Sequence, residues 1–473
     1  MSGTTGSRLR AAFAALGLAA AAAGAAATPA SAAPVVTLVS DTQLDAHGVY
    51  FVSFDGLVNN ESFQQDGILT FAGFQYTAWY TASRSAVVAR RQLPSGAWQQ
   101  AVLPHALSVS DSHNVISMGV SPSDGRLHVA MDTHDSPVFY VRSVAGLASA
   151  PGSHPWSAVD FGPVQRTLDG VDLGSITYPQ FVVTPERTLQ LSFRTGSSGN
   201  GTNELAEYDG SAWHRLGKWS ASTGSWTSTN GVVSTTRNMY LHGLTYAPSG
   251  RLHAAFTWRE VNSAVMCSSG GLSNHDTGYV FSDDRGRTWR NNAGQVVGAT
   301  GGQQVSVTSP GLVVDPLDPN HGLINQESQA VDSTGALHVL ISYVPGRFTQ
   351  CVTNYAAQRT ANGRTFHLVR AANGTWTKTE IPVAPGSTQR SRLVFDRADT
   401  AYVIMPGIRI VAATSASGWS DWTTVFQPTL GAFGEVDVDT SRVASAGVLS
   451  VLYQRSSSGT TSSPVRVADL HLG

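Results

Sequence analysis

The chain has 473 residues, with 30 Lys and Arg against 32 Asp and Glu and only 13 % charged residues. Its formal charge of −2 is spread without basic clusters, so nucleic acid is not an expected partner. The 47 Gly and 11 Trp, with apolar residues that rarely recur at helical spacing, predict an all-β protein of short strands and tight turns.

Arg8 and Arg10 precede an uncharged run over residues 11–27, and Ala30-Ser31-Ala32 supplies the small residues of a cleavage site. Residues 1–32 therefore read as a secretory signal peptide, which leaves residues 33–473 as a mature chain expected in the extracellular space. No later stretch approaches the roughly 20 consecutive apolar residues of a membrane-spanning helix, so no membrane partner is expected. From there on, a turn rich in Gly, Pro, Asp or Ser runs repeatedly into a short apolar strand. One unit lies at residues 74–80, and the others are marked by Leu127, Leu189, Leu252, Leu337, Ala401 and Leu449. Second turns ending in Trp98, Trp213 and Trp376 suit the outer strands of four-stranded sheets. Together these units predict a single seven-bladed β-propeller over residues 33–473, because each small sheet has two apolar faces that only its neighbours round a ring can bury.

Three of the markers carry Gly-Xaa-Leu-His, placing His128, His253 and His338 at one repeat position, where packing is the expected role. Residues 282–289, Ser-Asp-Asp-Arg-Gly-Arg-Thr-Trp, fit an Asp box, in which a carboxylate caps a hairpin turn and the Trp packs between blades. The hairpin over residues 111–135 is the chemically informative one. Pairing Val120 with Leu127 and carrying the register outward sets His113 opposite His134. Two imidazoles at a sheet end are more often solvated surface than a site, so the pair needs support from other blades. The same folding predicts Tyr178 opposite Arg194 in the next unit and Tyr240 level with Thr257 in the one after. Two histidines, two tyrosines and an arginine from consecutive blades then approach one rim of the central funnel. That set suits β-elimination from a uronic acid, which needs a cation on the C6 carboxylate, a base for the C5 proton and an acid for the leaving oxygen. A glycoside hydrolase needs two carboxylates, and the rim offers few beyond Asp111, Asp132 and Asp135.

At Ser112-His113-Asn114, Asp132-Thr133-His134, Thr177-Tyr178-Pro179, residues 193–196, residues 252–260 and residues 274–276, the chain resembles secreted BNR-repeat proteins that include the seven-bladed ulvan lyases. That resemblance implies a polysaccharide lyase acting on an acidic, rhamnose- and uronate-containing polymer, and a monomer is expected. It implies catalytic roles for His113, His134 and Tyr178, carboxylate neutralisation by Arg194, and substrate contacts from Tyr240 and Asn114. It also implies a structural zinc held by Cys267, His275, Cys351 and His367, with His253 in place of one of these histidines, or a Cys267–Cys351 disulfide, as the alternatives. Two other functions stay open at this point: a sialidase- or rhamnosidase-type hydrolase, and a carbohydrate-binding propeller without turnover.

Overall fold

The computed structural model describes residues 33–51, 56–62, 66–427 and 429–473, together with 1, 3, 4 and 6. The rest of the segment expected as a signal peptide lies outside the described residues. Pro34–Gly473 form one compact unit. No helix among the described residues is long and apolar enough to cross a membrane.

The strands of this unit fall into seven antiparallel sheets. Six contain four or more strands, and the fold is an all-β propeller. The sheet that carries the histidine hairpin has three strands, Ser117–Val120, Leu127–Met131 and Phe139–Arg142. The expectation of seven four-stranded units is therefore met in six sheets and not in this one. Where its fourth strand would run, only the bridges Tyr140–Gln165 and Ser143–Phe161 form. Pro151, Pro155 and Pro163 lie in this stretch, and proline cannot donate to a ladder.

Each sheet buries its faces against its neighbours. One apolar cluster joins Tyr76, Val88 and Leu103 of the first complete sheet to Met118, Leu127 and Val129 of the next, and another joins Tyr402 and Ile410 to Leu449 and Leu470. The ring is closed within one sheet, because Val36–Gly48 pairs with Ser463–Leu472 from Val36 opposite Leu472 onward. Val36–Gly48 is the outer strand of that sheet, with Ser463–Leu472 next to it.

The Asp box performs as its sequence implies. Asp284 Oδ1 accepts hydrogen bonds from Ser282 Oγ and from the Thr288 amide, each at 2.7 Å, while Trp289 is buried and stacks on Trp219 at 4.1 Å. The repeated histidines are packing residues. His128 Nδ1 lies 2.7 Å from the Tyr140 hydroxyl, and His253 Nδ1 lies 2.7 Å from that of Tyr279. Burial pushes both imidazoles down to about 3, so they stay neutral at the pH where the protein is folded.

The first strands of successive sheets surround the axis. Ile68, Met118, Phe181, Leu244 and Leu393 line a central cavity of about 590 Å³, with the short helix Thr440–Ala446 beside it. Along strand Ile176–Val183, Val183 reaches this cavity and Tyr178 lies at the other end. The chemically interesting side chains therefore occupy the rim opposite this cavity.

Candidate active site

The histidine hairpin pairs as the sequence predicts, with Val120 opposite Leu127 and Ser117 opposite Ala130. The ladder ends there, and Asp132 and Asp135 take positive φ values of 52° and 50°, which turn the chain across the rim. His113 and His134 nevertheless meet. Their rings stack with centroids 4.4 Å apart and planes at 15°. Asp111 lies beside both: Oδ1 accepts from the His113 amide at 2.9 Å and lies 2.5 Å from His113 Nδ1, while Oδ2 lies 2.8 Å from His134 Nδ1. Asn114 donates through Nδ2 to Asp132 Oδ1 at 2.6 Å. Asp132 Oδ2 is in turn held by the Ser108 amide at 2.7 Å and lies 3.0 Å from His105 Nε2. The Asn114 side-chain oxygen is buried without a hydrogen-bond partner among the described residues.

In the next sheet the register differs by one residue from the expected Tyr178–Arg194 pair. Ser192 pairs with Gln180 as the turn dictates, but Arg194 pairs with Thr177. A bulge at Tyr178-Pro179 absorbs the extra residue: Tyr178 has φ 57°, and proline next to it supplies no ladder donor. The bulge brings Tyr178 out of the pleat and towards the histidines, with ring centroids 6.0 Å from His113 and 6.3 Å from His134. Tyr240 pairs with Thr257 as predicted, and its ring packs 6.3 Å from that of Tyr178. Arg194 binds the group together. It donates to Tyr240 Oη at 3.3 Å and Thr177 Oγ1 at 3.1 Å, and its Cζ lies 5.1 Å from the Tyr178 ring centre. Arg194, Tyr178 and Tyr240 are each no more than 5 % exposed.

The electrostatics separate the proton carriers. Burial works against the charge of Asp111, but the hydrogen bonds from His113 and His134 outweigh it and hold the carboxyl well below its ordinary value. Burial pulls His113 below the ordinary imidazole value, against the upward pull of Asp111. Burial and then the neighbouring Tyr240 push the Tyr178 phenol up, so it keeps its proton despite Arg194. His113 is thus a neutral imidazole with capacity for a proton, and Tyr178 a phenol with one to give.

Sequence reasoning quoted Asp111 but gave it no role, and it missed Arg390. Arg390 donates to Glu435 Oε1 at 2.9 Å and to Asn325 O and Oδ1 at 2.8 and 3.0 Å, and its charge lowers both His113 and Tyr178. The signal was positional. Arg390 stands just ahead of strand Arg392–Phe395, as His113 stands just ahead of Ser117–Val120.

The expected zinc site is corrected. Cys267 and Cys351 form a disulfide, so neither sulfur is a thiolate donor. His275 lies 3.0 Å from both Glu260 Oε1 and Asp276 Oδ2 and stacks on Trp226, while His367 Nε2 lies 2.9 Å from His338 Nδ1. The bridge ties the loop after Ser263–Val265 to the segment before helix Tyr355–Asn362, across 84 positions of sequence. A loop of that length carries about 4.5 kcal/mol of chain-entropy stabilisation. Peptide mapping without reductant should recover the Cys267–Cys351 pair, and Cys267→Ala should lower the melting temperature by several degrees; two free thiols in the native protein would refute the bridge.

Among the described residues, possible metal ligands converge at Asp111, His113 and His134, within 4.8 Å of one another. The fit is poor. Nearly parallel rings cannot both aim an in-plane lone pair at a single ion lying between them and the carboxylate.

His275 has a separate consequence for stability. Burial opposes its charge, but hydrogen bonds to Asp276 and Glu260 prevail and raise it above its ordinary value. A raised folded-state value contributes stability that is fully present below about pH 6.5 and is lost as the pH climbs through the folded value. The melting temperature should therefore fall on the alkaline side of pH 6.5, and His275→Gln should flatten that part of the profile. An equal alkaline decline in the variant would assign the effect to other groups.

A ring of sheets with a His, Tyr and Arg cluster at one rim defines the chain as a β-propeller protein with a buried polar site. It belongs to the BNR repeat-containing family, whose model matches residues 74–384. The chain is similar to the long-isoform ulvan lyase of Pseudoalteromonas sp. (strain PLSV), with 25 % identity over 325 residues, covering 59 % of this chain and 32 % of that protein. The short-isoform ulvan lyase of Alteromonas sp. (strain LOR) is 22 % identical over 307 residues, covering 55 % and 57 %. The chain thus spans about a third of the length of the long relatives and somewhat over half of the short one. Among solved structures, the polysaccharide lyase Uly1 matches with a TM-score of 0.67 at 16 % identity, over 92 % of this chain and 99 % of that one. A PL25 ulvan lyase matches with a TM-score of 0.64 at 11 % identity, over 90 % and 95 %. Both likenesses bear out the propeller fold.

Proposed function

We propose that the protein is a secreted polysaccharide lyase that cleaves a uronic-acid-containing, ulvan-like polysaccharide by β-elimination. The observation that carries this reading is the convergence of His113, His134, Tyr178 and Arg194 in one cluster, with Tyr240 and Asn114 at its edges. Arg194 neutralises the C6 carboxylate and so acidifies the C5 proton. A histidine takes that proton, the C5–H electrons form the C4–C5 double bond, the C4–O bond breaks, and the departing oxygen takes the proton of Tyr178. Tyr240 and Asn114 contact the sugar.

Two of the rim carboxylates are poorly placed for hydrolysis. Both oxygens of Asp111 face the histidines and both oxygens of Asp132 are engaged, which leaves neither as the second carboxyl that a hydrolase requires. The relatives support the same class: those named above are ulvan lyases, and a PL25 ulvan lyase of the same fold has been solved bound to -[GlcA(1-4)Rha3S]-. The reading includes a single catalytic domain over residues 33–473, released outside the cell after removal of residues 1–32, and working as a monomer. On this reading the three-stranded sheet serves as the seventh blade of the ring.

A panel of uronate polysaccharides followed by ultraviolet absorbance tests the reaction class. An unsaturated uronate should appear as chains shorten. New reducing ends without that absorbance would make the protein a hydrolase, and binding without either would make it a lectin-like propeller.

A further inference from the structure

We infer that Asp111 is a positioning residue that locks His113 and His134 in one tautomer, making their two Nε2 atoms the lone-pair nitrogens of a pair that accepts a single proton. The inference rests on the elimination reading for its consequence in turnover, and on geometry alone for the tautomers.

The argument is a count of protons. Asp111 is ionised in the folded protein, and an ionised carboxylate is an acceptor at every lone pair. Its Oδ1 faces His113 Nδ1 at 2.5 Å and its Oδ2 faces His134 Nδ1 at 2.8 Å, so the proton in each contact sits on nitrogen. A neutral imidazole has one N–H. With that N–H on Nδ1 in both rings, both Nε2 atoms are bare. A cap for the loop would need only the contact with the His113 amide, which Oδ1 also makes at 2.9 Å. The two ring contacts are additional.

The stacking limits the charge. A second proton on the pair would set two imidazolium rings 4.4 Å apart beside one carboxylate, so like-charge repulsion works against doubly charging the pair. Asp111 balances one such charge. Among the described residues, Tyr178 and Arg390 also act on His113, and both remain in place when Asp111 is changed.

The test has one arm that needs no substrate. Nitrogen-15 NMR of histidine-labelled protein near neutral pH should show His113 and His134 both protonated at Nδ1, and a bare Nδ1 on either ring in the unchanged protein overturns the inference. In Asp111→Asn the side chain has one acceptor oxygen and one donor NH2, so one ring should switch to Nε2–H. The second arm is turnover. On a uronate polymer that the parent eliminates, Asp111→Asn should lose on the order of 10² to 10⁴-fold in kcat, as expected when a catalytic histidine is left in the wrong tautomer. Removing the carboxylate also removes its upward pull on His113, so the acid limb of the pH profile should move to lower pH. A loss of activity with both tautomers and the acid limb unchanged would make Asp111 merely structural and overturn the inference. A parent protein that eliminates no uronate polymer would sink the proposed function instead, and the tautomers would still decide the role of Asp111.

Discussion

Tyr178→Phe is expected to leave a folded protein whose kcat on a uronate polymer falls by about 10² to 10⁴-fold, the range for losing one general acid or base. The packing reason for intact folding is specific. Tyr178 and Tyr240 form a buried pair, and the Arg194 guanidinium lies against the Tyr178 ring, contacts that phenylalanine keeps. The bulge is also kept, since Phe meets the same cost as Tyr at φ 57°. What disappears is the phenolic proton, which burial and Tyr240 hold on the oxygen and which the proposed mechanism passes to the leaving sugar oxygen. Melting temperature and kcat measured together check this. A variant that melts like the parent and turns over within threefold of it would remove Tyr178 from the chemistry.

Arg194→Ala should cost on the order of 10² to 10³-fold, mainly in kcat, by analogy with removing one donor to an oxyanion. The developing carbanion at C5 places more negative charge on the C6 carboxylate than the ground state carries, so the cation contributes most at the barrier. Arg194→Lys is the informative companion. Lysine keeps the charge but not the planar fork that reaches Tyr240 Oη and Thr177 Oγ1, and it should recover only part of the loss. If Arg194→Ala raises KM and leaves kcat unchanged, the arginine merely holds the polymer and the neutralising role is wrong.

Much of this site was legible because strand period and turn chemistry set register. The pairs Val120–Leu127 and Tyr240–Thr257 follow from counting back from a turn, and the meeting of His113 with His134 follows from the first of them. The Tyr178–Arg194 pairing failed for a reason that alternation cannot signal. A bulge adds one residue without changing which residues are apolar, and only the proline after Tyr178 hinted at it. Asp111 was hidden by its ordinariness, since an aspartate two residues before a loop amide reads as a turn cap and its contact with His134 spans 23 positions. The two cysteines were ambiguous because a pair of thiols near histidines satisfies the pattern of a metal site as well as that of a bridge. Their proximity in space decides it, and no spacing along the chain encodes that. The missing outer strand of the histidine-bearing sheet falls in a stretch with three prolines, a local signal that the regularity of the other units conceals.

The sheet that joins Val36–Gly48 to Ser463–Leu472 also imposes an order in time. Val36–Gly48 finds its partner only when Ser463–Leu472 has been made, so a growing chain can stack sheet upon sheet yet remain an open arc until synthesis reaches that ten-residue strand. Until then Val36–Gly48 has no strand to lie against, and the sheet that will close the ring presents unpaired backbone. A protein built this way gains its closed ring only once Ser463–Leu472 is free to pair, on whichever side of a membrane that pairing takes place.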